Sequence, residues 1–244
     1  MKTGALVIAH NAHDLTERCL DSIIRRAKRP GGRWPDPLVL FDNGSTQSYI
    51  HQDVTVFHSP WNLCFSLAVT VGIEAMFSYC KNLEAVILLN NDTEVISEDW
   101  LDRFTQHLED YDVVGLGHTQ GHPSVGKPPR LLGKYDYLGF WCVAISRRAW
   151  EITGALDYRT FSFYYEDRDW CYRAQDKGLQ LAQAYDIVVN HVNNATFDAL
   201  GLDKERMGRE AHDAFIRKWG FLNSEGERNW DSTREILNRE GSDA

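Results

Sequence analysis

Short apolar runs alternate with helix-period segments through the first half of the chain. ALVIA precedes a helical pattern over 14–28, LVLF precedes a turn, VTVF precedes a pattern over 65–80, and AVILL precedes one over 98–109. Aliphatic strand-length runs separated by amphipathic helices predict an α/β fold with a largely parallel sheet. AVILL shows no alternation, so it reads as a central strand covered on both faces. In the first helical pattern Leu15, Cys19, Leu20 and Ile23 share a face, with Asp14 as the expected N-cap. RPGGRWPDP, at 29–37, ends that helix. The stretch 117–134 is rich in glycine and proline and has no periodicity, which marks a mobile functional loop or a disordered insertion. An apolar run at 137–145, a helix over 166–178, a short strand near 186–189 and two polar helical segments at 203–219 and 229–239 complete the pattern.

The helix over 166–178 carries an unusual polar position. On a 3.6-residue wheel Trp170, Cys171, Ala174 and Gly178 form an apolar stripe, with Arg168, Asp169, Tyr172, Arg173 and Asp176 on the other face. Asp167 falls inside the stripe. A carboxylate aimed at a core-facing surface is costly unless it is paired, hydrated in a cleft or held by the amides of a helix start.

Ligands of open α/β sheets gather at the carboxyl ends of strands, and there this chain places polar residues repeatedly. The first strand ends at His10 and Asn11, the second at Asp42, Asn43 and Gly44, and the fourth at Asn90, Asn91 and Asp92. Each group also suits ordinary turn and capping chemistry, so it is the coincidence that points to a site. His191 follows another apolar run. Together with Asp92 it would offer an oxygen and a nitrogen ligand to a divalent metal with open positions, which suits a diphosphate. His118 and His122 have the spacing of a helical metal pair, but Gly121 and Pro123 break the helix they would need.

Composition narrows the class. The chain has 244 residues, 43% of them hydrophobic and 25% charged, enough to bury a real core. A formal net charge of -9 argues against sequence-independent nucleic-acid binding, which needs surplus Lys and Arg. Five cysteines without a C-x-x-C spacing read as reduced core residues, and hence a cytoplasmic protein. No run approaches the roughly 18 apolar residues of a membrane span, which leaves only peripheral membrane contact. P-loop, dinucleotide-binding and G-x-S-x-G hydrolase signatures are missing.

The ordered motifs resemble those of family 2 glycosyltransferases, inverting enzymes of the GT-A fold, and in particular rhamnosyltransferase-like members. LVIAHNAHDLTERCLDSI, FDNGS, NLCFSLAVTVGIEAM, LLNNDTEV, GFWCVAISRRAWEITGALDYRTFSFYYEDRDWCYRAQDKG, NHVNNATF and AFIRKWG match across residues 4–220. The resemblance implies a Rossmann-like mixed, mainly parallel sheet flanked by helices with a C-terminal helical tail. It divides one domain into a nucleotide-sugar half (1–115), an acceptor half (116–200) and the tail (201–244). It further implies Asn11, Asp42, Asn62, Asn90 and Asn91 as donor-side residues, Asp92 and His191 as ligands of Mn2+ or Mg2+, and Asp167 as general base. Glu166 would organise that motif or contact acceptor, and Trp141 and Tyr165 would face the acceptor sugar. UDP-, dTDP- and GDP-linked donors all suit such a pocket, as do glycan, lipid-linked and protein acceptors. Departures from the pattern are Asn90, where the metal signature often has its first acid, and Cys64 and Thr70, where glycine and asparagine are usual. A sugar-phosphate nucleotidyltransferase, which would want a basic glycine-rich loop after the first strand, and a catalytically silent sugar- or nucleotide-binding module are the alternatives.

Overall fold

The computed structural model describes residues 1–116, 127–191, 203–222 and 228–229. Its centre is the apolar strand β1 (Thr3–Ala9), flanked in parallel by β2 (Leu38–Asn43) and β4 (Ala85–Asn90), with β3 (Thr55–Ser59) parallel outside β2. Beyond β4 come β8 (Cys142–Ser146), antiparallel to it, then β6 (Val113–Leu116), β9 (Leu181–Ala184) and the short edge β7 (Arg130–Leu131). The sheet order is β3-β2-β1-β4-β8-β6-β9-β7. The expectation of a mixed, mainly parallel sheet holds.

Helices cover both faces because β4 is apolar on both. Ala85, Ile87 and Leu89 join Cys19, Leu20 and Ile23 of α1 (His13–Lys28) and Phe104 and Leu108 of α3 (Trp100–Asp110) in one core layer. Val86 and Leu88 join Ile73 and Met76 of α2 (Cys64–Tyr79), Trp150 of α4 (Arg147–Thr153) and Trp170, Cys171 and Ala174 of α5 (Glu166–Asp176) in the other. Each fully buried Leu, Ile or Met stabilises the fold by about 2 kcal/mol relative to exposure, so the helices owe their order mainly to these layers. A smaller cluster of Phe161, Tyr172, Phe215 and Trp219 docks α6 (Lys204–Trp219) onto α5. Two further pairings are short: β5 (Thr93–Val95) with β10 (Val189–His191), and β11 (Phe221–Leu222) with β12 (Arg228–Asn229). Among the described residues no helix is long and apolar enough to cross a membrane. All five cysteines are free thiols.

Some expectations need correction. Asp14 is not the N-cap of α1: the chain enters through Asn11 and Ala12, both left-handed, with Ala12 as the cap and Asp14 in the first turn, where it complements the helix dipole. Asp169 and Tyr172, which the wheel sets opposite the apolar stripe, are 0% and 5% exposed, because α6 covers that side of α5. The expected helix at 229–239 is outside the described residues except Asn229, which is in β12. Residues 117–126 of the long loop, with His118 and His122, also fall outside them, while its end supplies β7.

Candidate active site at the carboxyl edge of the sheet

The loops leaving β1, β2 and β4 are tied to one another by the polar residues at their strand ends. Asp42 is 2% exposed, and its carboxylate accepts Ser45 N (3.0 Å), Tyr49 N (3.4 Å) and His58 Nδ1 (3.1 Å). Burial alone would raise its pKa, but the bonds from Ser45, His58 and Tyr49 outweigh that and hold it below the ordinary aspartate value. Asn11 Oδ1 accepts Thr46 N (2.9 Å) and Thr46 Oγ1 (3.1 Å), so Asn11 and Asp42 clasp the same loop from opposite ends. Gly44, at φ +74°, lets this loop lie against the next. A Cβ there would stand 2.2 Å from the carbonyl carbon of Trp61. Asn62 Oδ1 accepts Asn43 Nδ2 (3.2 Å) and Cys64 N (2.8 Å), fixing the entry to α2. Cys64 and Tyr165, like Ala12, are left-handed non-glycine residues at the starts of helices α2, α5 and α1. Backbone strain of this kind persists where surrounding structure over-determines it, commonly at functional sites.

Beyond β4 the chain turns through Asn90, Asn91 and Asp92. Asn91 is buried and donates from Nδ2 to Thr16 Oγ1 at 2.9 Å, so this N–H group serves α1. Asn90 Oδ1 and Asp92 Oδ1 are both buried without an aligned hydrogen-bond donor. Asp92 Oδ1 nevertheless lies 3.1 Å from His191 Nε2. This sets an acid oxygen beside an imidazole nitrogen, two groups of the kind that ligate divalent ions. The register Thr93↔His191 between β5 and β10 makes this neighbourhood, and Trp141 stacks on the imidazole at 4.9 Å and 6°. Trp141 stands just before β8, and its carbonyl accepts Asn90 N at 2.9 Å. Because β8 runs antiparallel to β4, its start lies at the same sheet edge as Asp92. Among the described residues there is no cluster of three or more His, Cys, Asp or Glu groups able to hold a metal.

Segment 161–165 brings α5 to this edge. Ser66 N and Oγ of α2 donate to the Ser162 carbonyl at 3.2 and 3.1 Å. Asp167 is half-buried in the first turn of α5, and its Oδ1 accepts Arg168 N at 2.7 Å. Tyr165 packs on Phe215 of α6 at 5.0 Å, with the Arg168 guanidinium 5.3 Å from its ring. Glu166 is the buried member of the acidic pair, 6% exposed, with Oε2 lacking an aligned partner. Burial, and then the charge of Asp167, raise its pKa well above the ordinary value of 4.5. The folded state therefore holds this proton more tightly than the unfolded chain. Its stabilising contribution is complete below about pH 4.5 and is lost as pH rises through the folded value. Glu166→Gln cannot ionise there. Melting temperatures across about pH 5 to 9 are expected to decline less steeply for this variant than for the parent, and parallel declines would show that Glu166 is not the group responsible.

No family model matches the chain. The low-salt glycan biosynthesis hexosyltransferase Agl10 of Haloferax volcanii is 28% identical over 186 residues, 66% of this chain and 59% of that protein. The chain thus spans just under three fifths of this curated relative. The mannosyltransferase PcManGT of Pyrobaculum calidifontis, solved with GDP-Man and Mn2+, superposes with a TM-score of 0.60 at 15% identity, over 82% of this chain and 59% of that one. S. aureus TarS 1-349, solved with UDP-GlcNAc, gives 0.56 at 12% identity, over 89% and 73%. The chain has the GT-A fold of these nucleotide-sugar-binding proteins and is related in sequence to a glycan-building hexosyltransferase.

Proposed function

We propose that this protein is an inverting glycosyltransferase that moves a sugar from a nucleotide-diphosphate donor to an acceptor hydroxyl. The observation that carries the reading is the buried Asp92 Oδ1, without an aligned hydrogen bond and 3.1 Å from His191 Nε2, at the ligand-binding edge of a GT-A sheet. Asn11 and Asp42 shape the base and ribose pocket through the loop they clasp. Asn62 sets its far wall. Asn90 and Asn91 set the turn that presents Asp92, and Trp141 holds the His191 imidazole in plane.

These two ligands fit a hard or borderline divalent ion, Mn2+ or Mg2+, whose remaining positions a diphosphate and water would fill. When bound, the ion supplies Lewis-acid stabilisation of the charge that develops on the departing diphosphate. PcManGT, solved with GDP-Man and Mn2+, supports that assignment. The Asp167 carboxylate takes the acceptor hydroxyl proton as that oxygen bonds to the sugar C1 from the face opposite the nucleotide. The C1–O bond breaks, and its electron pair leaves with the diphosphate. Trp141 and Tyr165 belong to the acceptor side, where an aromatic face suits a sugar ring. Residues 1–115 form the donor half and 116–200 the acceptor half, and α6 of the 201–244 segment packs on α5 of the latter. The acceptor class is a glycan, free, lipid-linked or on protein.

The test is a panel of UDP-, dTDP- and GDP-linked hexoses with Mn2+, read by release of nucleoside diphosphate. One donor is expected to be hydrolysed slowly to water and turned over faster with a glycan acceptor. Binding of a nucleotide sugar with no release from any of them would replace the enzyme reading with that of a binding module.

A further inference from the structure

Asp169 stands two residues past Asp167 on α5 and is fully buried, where a carboxylate persists only with its charge and lone pairs met. Its Oδ1 accepts Trp219 Nε1 at 2.8 Å and pairs with Lys218 Nζ at 2.7 Å, and its Oδ2 accepts Arg173 Nε at 2.9 Å. Two of these three donors come from the last residues of α6. Lys218 Nζ also donates to Asp157 Oδ2 at 2.7 Å and lies 5.5 Å from the Phe161 ring centroid. Arg173 reaches back to the carbonyls of Thr153 (3.0 Å) and Ala155 (2.9 Å). One ammonium therefore ties together both ends of the segment 157–169, which carries Glu166 and Asp167. The middle of that segment is pinned to α2 through Ser66 and Ser162.

We propose that Lys218 and Trp219 are positioning residues: through Asp169 and Asp157 they fix the first turn of α5 and so the direction of the Asp167 carboxylate. The inference rests on Asp167 being the general base. Losing one partner of a buried ion pair costs stability because the other charge is left partly unmet, but Asp169 keeps Arg173 Nε and Trp219 Nε1 when Lys218 is replaced, so the lost tie between Asp157 and Asp169 is expected to register in geometry as well. The apolar contacts of Phe215 with Tyr165 and Tyr172 keep α6 docked when the ammonium alone is lost. A base displaced by about 1 Å costs one to two orders of magnitude in rate.

Lys218→Met keeps the aliphatic stem, and Trp219→Phe deletes the indole N–H and part of the ring system while keeping an aromatic ring in the Phe161–Tyr172–Phe215 cluster. Both are measured in the full chain with Mn2+ and whichever nucleotide sugar in the panel is hydrolysed, water serving as acceptor. The expected result is kcat down about 10- to 100-fold, donor KM within about two-fold, and substantial recovery in Lys218→Arg, which restores the cation. Parent-like kcat in both variants overturns the proposal. So does a loss that tracks only the folded fraction, with normal turnover per folded molecule. Should Lys218→Met not fold, the kcat of Trp219→Phe decides. Asp167→Asn is run in parallel. If it is inactive while both α6 variants are parent-like, positioning fails alone. If it transfers at the parent rate, the base assignment fails and the positioning role with it.

Discussion

Asparagine in place of Asp167 is expected to lower glycosyl transfer by about 1,000-fold while donor affinity changes by less than about three-fold. The substitution keeps size and shape, and the amide oxygen can still accept the Arg168 N–H that Oδ1 accepts at 2.7 Å. The negative charge and the capacity to take a proton are removed. Asp167 is half-buried at a helix start, where the positive end of the dipole favours a carboxylate, and its acidic neighbour Glu166 is buried and favoured in its neutral form. Glu166, held in its neutral form, is the poorer candidate for accepting a proton, which is why the base is placed at Asp167. Kinetics of nucleoside diphosphate release, combined with calorimetric donor binding, separate the rate effect from the binding effect. Transfer at the parent rate would remove the base assignment. An equal loss in Glu166→Gln alongside an active Asp167→Asn would move it one residue back.

How much of this could be read from the chain varies with the kind of contact. Strands β1, β2, β3 and β4 and helices α1, α2, α3 and α5 follow from local periodicity, because each buries a face that its own sequence marks. AVILL reads as buried on both faces and is. Elements whose burial depends on remote partners were not legible: α4, β5, β6 and β9 are short, and their pairings span long separations. Asp169 and Tyr172 fall opposite the apolar stripe on the wheel yet are buried, since a wheel for α5 carries no information about α6. At the candidate site the strand-end residues were visible as types, whereas their bonding was not. Asp42 to Ser45 is local turn chemistry, but the bond from His58 depends on the β2–β3 register and the stacking of Trp141 on His191 joins distant chain segments. The left-handed entry through Asn11 and Ala12 also defeats a capping rule that assumes an extended residue before the helix.

Asp92→Asn is expected to weaken Mn2+-dependent turnover by at least about 100-fold, because a Lewis acid at a leaving diphosphate is worth several kcal/mol and the charged member of the proposed ligand pair would be lost. His191→Ala should cost less, since it removes a neutral nitrogen and leaves the charge in place. Asn90 contributes an amide where a second acid would otherwise add charge, so Asp92 carries the whole negative protein contribution at this turn. That concentration makes the asymmetry between the two variants the informative quantity. A readout independent of activity is the shift in melting temperature produced by Mn2+ together with UDP or GDP. It should be present in the parent, reduced in His191→Ala and absent in Asp92→Asn. Asp92 is 6% exposed, and its Oδ1 makes no aligned hydrogen bond that the amide would break, so the fold should survive the exchange. Equal Mn2+ shifts in all three proteins would mean that the Asp92–His191 pair is not the cation site, whatever the rates showed.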